Sequence, residues 1–94
     1  ALGVRFNLLF SCLDDKPVEA MAEVLRPAVG RVAVCELADD RAMPAPRLAA
    51  AFPDAAVAAS PVAGLALLAD PVLVAGSVRL VGALLGAAGW EGPW

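Results

Sequence analysis

Two short segments of this 94-residue sequence carry side chains that could bind an anionic ligand. Gly76 and Ser77 follow an apolar run at residues 72–75 and precede an apolar stretch with helical spacing. A hydroxyl at the beginning of a helix lies beside unbonded backbone N–H groups and the positive end of the helix dipole, which suits a carboxylate. Asp15 and Lys16 follow another apolar run, and the Lys16 ammonium could bind a phosphate or a carboxylate. These segments predict a binding site without indicating a reaction.

Most of these residues also have a purely structural interpretation. Ser is common at the first position of helices, so Ser77 could serve only as an N-cap, with Gly76 permitting the turn before it. Asp15 could cap a helix or orient a binding partner. From the residues alone, the structural interpretation of the Gly-Ser turn is the simpler one.

The role of Arg79 is open. It stands two residues beyond Ser77, where its guanidinium could hold a carboxylate through two parallel hydrogen bonds. It could equally point to solvent, or pair with Asp70 or Glu91. Arg41 lies in a polar loop, and we interpret it as a solvated charge rather than a ligand group.

The sequence lacks the side chains on which most catalytic sites depend. It contains no His, which removes the commonest general base and a common metal ligand. Cys12 and Cys35 lie in apolar segments, where we expect free, buried thiols and therefore a reducing, cytoplasmic location. The acidic pairs at 14–15 and 39–40 lack the further oxygen ligands that a metal site requires. We predict no catalytic residue and no metal site.

Charge and hydropathy argue against two classes of partner. The net charge is −3 and the seven basic residues are spread along the chain, so nucleic acid is not an expected partner. Residues 71–90 contain one charged side chain, that of Arg79. An Arg at the centre of a bilayer costs about 2.5–3.5 kcal/mol on insertion scales, and Pro71 weakens a helix there further. We therefore predict no membrane span.

The spacing of apolar residues predicts alternating strands and helices. The expected strands cover residues 6–12, 32–37, 55–58 and 72–75. The expected helices begin near Asp15 and at Ser60, and cover residues 46–52 and 78–88. This alternation predicts an α/β, Rossmann-like, mostly parallel sheet with flanking helices. Because the carboxyl ends of parallel strands meet at one edge, Lys16 and Ser77 should then lie on the same rim.

The first residues predict that residues 1–94 form a single domain that is incomplete at its N-terminus. Ala1, Leu2 and Gly3 are typical of the end of a helix, so we expect a first strand and helix to be missing from the sheet. A missing strand would leave an unpaired edge and apolar surface, and we therefore expect the chain to self-associate.

Three segments resemble one enzyme family. The segment at residues 8–21 is similar to a strand, an Asp-Lys-Asp motif and a Met-containing helix of folylpolyglutamate synthases, which belong to the Mur ligase superfamily. The segment at 39–42 resembles their Pro-Arg-Ala loop, and residues 72–82 resemble their strand, Gly-Ser turn and final helix. Two positions depart from the family pattern: Pro17 replaces the second Asp, and Arg79 replaces an aromatic residue.

The resemblance implies the C-terminal domain of an ATP-dependent carboxylate–amine ligase that adds L-glutamate to folate, often together with dihydrofolate synthase activity. It implies that Ser77 helps to hold the incoming glutamate, and we predict Gly76, Asp15 and Lys16 on the same rim as the other substrate-binding residues. It also implies a separate N-terminal ATPase domain that carries ATP and Mg²⁺, so that this chain alone is inactive and binds neither tightly. The alternative is a free-standing Rossmann-like binding or interaction module without catalysis.

Overall fold

A computed structural model describes residues 5–89 of the protein, apart from the side chains of Val78 and Arg79. Four strands alternate with four α-helices, and a short 3₁₀-helix at Arg26–Ala28 follows the first of them. The strands are β1 (Phe6–Phe10), β2 (Val29–Cys35), β3 (Ala56–Ala58) and β4 (Val72–Ala75). The helices are α1 (Val18–Leu25), α2 (Ala45–Ala51), α3 (Pro61–Ala66) and α4 (Val78–Ala87). The roles considered for residues 1–3, for Glu91 and for the Arg79 side chain lie outside the described residues.

The four strands form one parallel sheet in the order β3-β2-β1-β4. The chain therefore moves from β1 outward through β2 to β3, and then returns to the other side of β1 to form β4. Right-handed crossovers place the helices of the outward path on one face and those of the return path on the opposite face. The predicted α/β fold with a parallel sheet and flanking helices is confirmed.

The alternation of side chains along β1 divides the core in two. Leu8 and Phe10 point to the face covered by α1 and α2, which we call the first face. Leu9 points to the second face, which α3 and α4 cover. All three side chains are fully buried. The central position of β1 explains its almost continuous apolar sequence, since a strand covered on both faces has no solvent side.

Each face contains one contact that fixes its packing. On the first face, the rings of Phe10 and Phe52 lie 4.9 Å apart at an angle of 50°, a tilted arrangement that aromatic pairs favour. On the second face, Gly64 brings α3 close to the sheet: a Cβ at this position would lie 2.6 Å from Cδ1 of Leu9. The small residue therefore sets the distance between α3 and the sheet.

Several local predictions are confirmed and others are wrong, since β1, for example, ends at Phe10 rather than at residue 12. The Ser60 hydroxyl accepts a hydrogen bond of 3.1 Å from Ala63 N–H, as expected of an N-cap. Asp15 does not cap α1, because this helix begins after Pro17 without a side-chain cap. The second strand begins at Val29 rather than at residue 32. That strand also stops at Cys35 rather than at residue 37, because its pairing with β1 ends at Val34 and its pairing with β3 ends at Cys35.

Within residues 71–89, the chain folds as strand β4 followed by helix α4. Within the described part of the chain, no helix combines the length and the apolar character needed to cross a bilayer.

Candidate functional site

A crevice lies where the strand order reverses, at the carboxyl ends of β1 and β4. The chain leaves β1 toward the first face and leaves β4 toward the second, so the two connections diverge. Open α/β sheets bind their ligands at such switch points. The crevice has a volume of about 450 Å³ and is lined by seven described residues. These are Leu13, Lys16, Val74, Ala75, Gly76, Ser77 and Val81.

The lining combines an apolar wall with a few polar groups. Leu13, Val74 and Val81 supply the apolar part, whereas Lys16 and Ser77 supply a charge and a hydroxyl. Among the lining residues that the structure describes, Lys16 is the one charged side chain. A mostly apolar concave site with few polar groups is typical of small-molecule pockets, and the charge present here favours an anionic group.

Gly76 is required by the backbone at the turn after β4. Its φ of +109° lies in a region that residues with a Cβ rarely adopt. A Cβ at this position would overlap the carbonyl oxygen of Ser11 and lie 2.9 Å from Cε2 of Phe10. The turn therefore packs directly on the end of β1, which brings Ser77 to the crevice.

Ser77 stands immediately before α4. Its carbonyl oxygen accepts a hydrogen bond of 3.3 Å from Val81 N–H, the first bond of the helix. The next backbone N–H groups have no partner further back in the helix, and they carry the positive end of its dipole. The residue is half-buried and lines the crevice. A carboxylate in the crevice would therefore meet both the hydroxyl and the amino end of α4.

The backbone of the loop after β1 positions Lys16. Its N–H donates a hydrogen bond of 3.1 Å to the Leu13 carbonyl, and its own carbonyl accepts one of 2.9 Å from Val18 N–H. These two bonds make a tight turn that leads directly into α1. The side chain is exposed at the mouth of the crevice, where it can approach a bound anion.

The loop after β2 supports the loop after β1. Asp14 N–H donates a hydrogen bond of 2.7 Å to the Arg41 carbonyl, and Met43 N–H donates one of 3.0 Å to the Cys12 carbonyl. Between them, Leu13 and Ala42 form an isolated antiparallel bridge. The polar segment around Arg41 is thus docked against its neighbour, although the Arg41 side chain itself is exposed. The sequence gives no periodic signal for such a single bridge.

A weak ion-pair network lies outside the crevice. Arg47 of α2 lies 3.4 Å from an Asp14 carboxylate oxygen and 3.8 Å from one of Glu19. The three side chains are 48%, 57% and 72% exposed, so solvent screens their attraction. Exposed pairs of this kind contribute about 0–1 kcal/mol.

The structure brings together three of the four predicted ligand residues. Lys16, Gly76 and Ser77 line the same crevice. Asp15 belongs to the same loop as Lys16, but it is exposed and is not among the lining residues. The role of each in binding a ligand stays a prediction. Sequence inspection missed the apolar wall, since Leu13 and Val81 look like ordinary core residues until the topology is known.

Both cysteines are free and buried, as predicted. They lie on opposite faces of the sheet, Cys12 on the first and Cys35 on the second. Burial raises the pKa of the Cys12 thiol, although the positive charges of Arg47 and Lys16 act in the opposite direction. Burial also raises the pKa of Cys35, which the neighbouring Ser11 hydroxyl partly offsets. Both thiols are therefore protonated at neutral pH and are poor nucleophiles.

The described residues do not assemble a metal-binding cluster. No group of three or more His, Cys, Asp or Glu side chains within residues 5–89 is arranged to hold a metal ion. The paired acids of the two loops are drawn instead into local contacts: the Asp39 carboxylate accepts a hydrogen bond of 2.8 Å from Arg41 N–H, and that of Asp14 one of 3.4 Å from Arg47.

The same fold occurs in a solved enzyme structure. No family model matches the sequence, and no curated protein matches it. A structure of a bifunctional folylpolyglutamate synthase/dihydrofolate synthase from Yersinia pestis c092, complexed with AMPPNP and Mn ion, is similar to this chain with a TM-score of 0.82. The sequence identity is 21%, and the match covers 90% of this chain. The chain spans 22% of the length of that protein. At this identity the likeness shows a shared fold.

Proposed function

We propose that this chain is the glutamate-binding part of an ATP-dependent folylpolyglutamate synthase, an enzyme that adds L-glutamate to folate. The observation that carries the proposal is the convergence of Lys16, Gly76 and Ser77 on one crevice at the switch point. The fold that this chain shares with a folylpolyglutamate synthase/dihydrofolate synthase supports the proposal. The three segments of the sequence that resemble the same family support it as well.

In the proposed reaction, a carboxylate of folate first receives the terminal phosphoryl group of ATP. The amine of L-glutamate then attacks the acyl carbon, forms the amide bond and displaces inorganic phosphate, while the amine gives up a proton. In this scheme the chain binds and orients glutamate. Ser77 and the amino end of α4 hold one carboxylate, and the Lys16 ammonium neutralises negative charge at the mouth of the crevice.

The phosphoryl-transfer chemistry belongs to another part of the enzyme in this proposal. The described residues offer no cluster of carboxylates that fits Mg²⁺. We therefore assign ATP and Mg²⁺ to a separate ATPase domain, against which the crevice would close. Such closure excludes water from the acyl phosphate and so protects it from hydrolysis. Two buried thiols are compatible with the reducing cytoplasm in which we place the enzyme.

Titration of the ¹⁵N-labelled chain with L-glutamate tests the proposal. We expect weak binding, with amide shifts concentrated at Lys16, Gly76 and Ser77 and in the first turn of α4. Replacement Lys16→Gln should weaken binding by up to about fivefold, because an exposed charge pair contributes about 0–1 kcal/mol. Shifts spread over the whole surface, or absent at saturating glutamate, would contradict the proposal.

Arg31→Gln is a matched control for the loss of one positive charge. Arg31 is exposed near the amino end of β2, whereas the crevice lies at the carboxyl ends of the strands. This variant should bind glutamate as the unmodified chain does. An equal loss of affinity in the two variants would indicate an effect of net charge rather than a site at Lys16.

Two further observations separate the ligase from the alternative of a free-standing module without catalysis. The purified chain should release no phosphate from ATP. Steady hydrolysis of ATP by this chain would contradict the assignment of ATP to a separate ATPase domain. The reading frame upstream of Ala1 should encode a Gly-rich phosphate loop. A start codon directly before Ala1 would favour the free-standing module.

A further inference from the structure

Cysteines aside, Ser11 is the one fully buried polar side chain in the part of the chain that the structure describes. It follows the last residue of β1 and has no solvent exposure. Its Oγ has no hydrogen-bond partner of standard geometry among residues 5–89. The polar group beside it is the Cys35 thiol, which is a weak donor and a weak acceptor. The hydroxyl is therefore buried without a hydrogen bond that offsets its loss of hydration.

This hydroxyl lies directly beneath the crevice. Leu9 and Leu13 belong to the cluster of the second face, and alternation along the chain places Ser11 between them on that face. Leu13 is part of the crevice lining. Gly76, which also lines the crevice, packs against the Ser11 carbonyl. One layer of residues thus separates the hydroxyl from the space that a ligand would fill.

We propose that Ser11 is a further ligand-binding residue of the crevice, and that its hydroxyl donates a hydrogen bond to the carboxylate held by Ser77 and the amino end of α4. This inference rests on the function proposed above, because it gives the same crevice a second hydroxyl for the same ligand. A carboxylate accepts several hydrogen bonds at once, so it can bind both hydroxyls. Binding of the ligand then supplies the partner that Ser11 lacks in the free chain.

The carboxylate reaches Ser11 when the turn at Gly76 and Ser77 moves away from the end of β1. Both residues of the turn are half-buried, and β4 before them contains no fully buried residue. Local opening of a segment with so few buried side chains requires less free energy than opening of the core. The new hydrogen bond at Ser11 favours the open, ligand-bound arrangement.

Replacement Ser11→Ala separates a ligand contact from a structural role. In the free chain this variant should raise the Tm by about 4 °C, because a buried hydroxyl without a partner is removed. In the titration with L-glutamate it should weaken binding by about fivefold, because one hydrogen bond to the carboxylate is lost. A hydroxyl that only stabilised the fold would give the reverse, a lower Tm with unchanged affinity.

Ser60→Ala is the matched control, since it removes the same atom from a hydroxyl that has a partner. The Ser60 hydroxyl accepts a hydrogen bond from Ala63 N–H at the beginning of α3. The control variant should therefore lower the Tm by about 4–8 °C and leave the affinity for glutamate unchanged.

Titration with glutarate, which carries two carboxylates and no amine, distinguishes this inference from the proposed function. We expect both compounds to bind and Ser11→Ala to weaken both. Binding of glutarate alone, weakened by Ser11→Ala, would contradict the proposed function and support the role of Ser11. Binding of glutamate that Ser11→Ala leaves unchanged, or a Ser11→Ala variant with a lower Tm, would overturn the role of Ser11 alone. Binding of neither compound would overturn both.

Discussion

The two sides of the sheet differ in how completely their side chains are buried. On the first face, Phe10, Met43, Leu48 and Phe52 have no solvent exposure. On the second face, the residues near β4 and α4, such as Val74 and Leu84, are half-buried and pack around a smaller cluster. The first face therefore contains the larger of the two clusters of buried side chains. The crevice is built at the less densely packed end of the second face, where local opening requires less free energy.

The largest expected effect compares one leucine from each side. Leu48→Ala leaves a cavity among fully buried side chains and should lower the free energy of unfolding by about 2–5 kcal/mol. Leu84→Ala removes the same atoms from a half-buried position and should cost less than half as much, because neighbours and solvent can fill the space. Urea unfolding followed by circular dichroism measures both. Equal losses would show that the two sides are packed alike.

An intermediate effect is expected for two glycines on the crevice side. Gly76→Ala places a Cβ against the Ser11 carbonyl at a positive φ, and it should destabilise the protein by about 1–3 kcal/mol. Gly86→Ala in α4 meets nothing within 4 Å and should stabilise by about 0.5–1 kcal/mol. Thermal unfolding of the two variants gives the comparison. A neutral Gly76→Ala would mean that the turn can move away from β1.

The smallest expected effect is a dependence on alkaline pH. Burial raises the pKa of Cys12 and Cys35 above the ordinary value of 9.0, whereas the unfolded chain keeps that value. The unfolded chain therefore loses these protons at lower pH, and the stability from the two thiols is complete below pH 9 and decreases above it. Urea unfolding at intervals from pH 7 to 10 measures this slope. Cys12→Ala and Cys35→Ala should each reduce the slope of the free energy of unfolding against pH. An unchanged slope in both variants would mean that other groups cause the dependence.

The sequence predicted the regular elements well because their signals are local. Strand β4 has the predicted bounds, and Ser60 caps α3 as expected, since both depend on a few adjacent residues. The beginning of α1 was mispredicted because a capping Asp is only a preference, and this helix begins after Pro17 without a side-chain cap. The wall of the crevice was not predictable at all. Leu13 and Val81 meet there because of the strand order, which no single segment encodes.

The position of β4 also dictates the order in which the molecule can be assembled during synthesis. β1 and β2 lie in the first part of the chain, but the strand that completes the other side of β1 begins only at Val72. While this segment is still inside the ribosome, a nascent chain exposes a bare edge of β1. The rate at which the segment with β4 emerges therefore sets how long that edge is open to chaperones or to wrong partners.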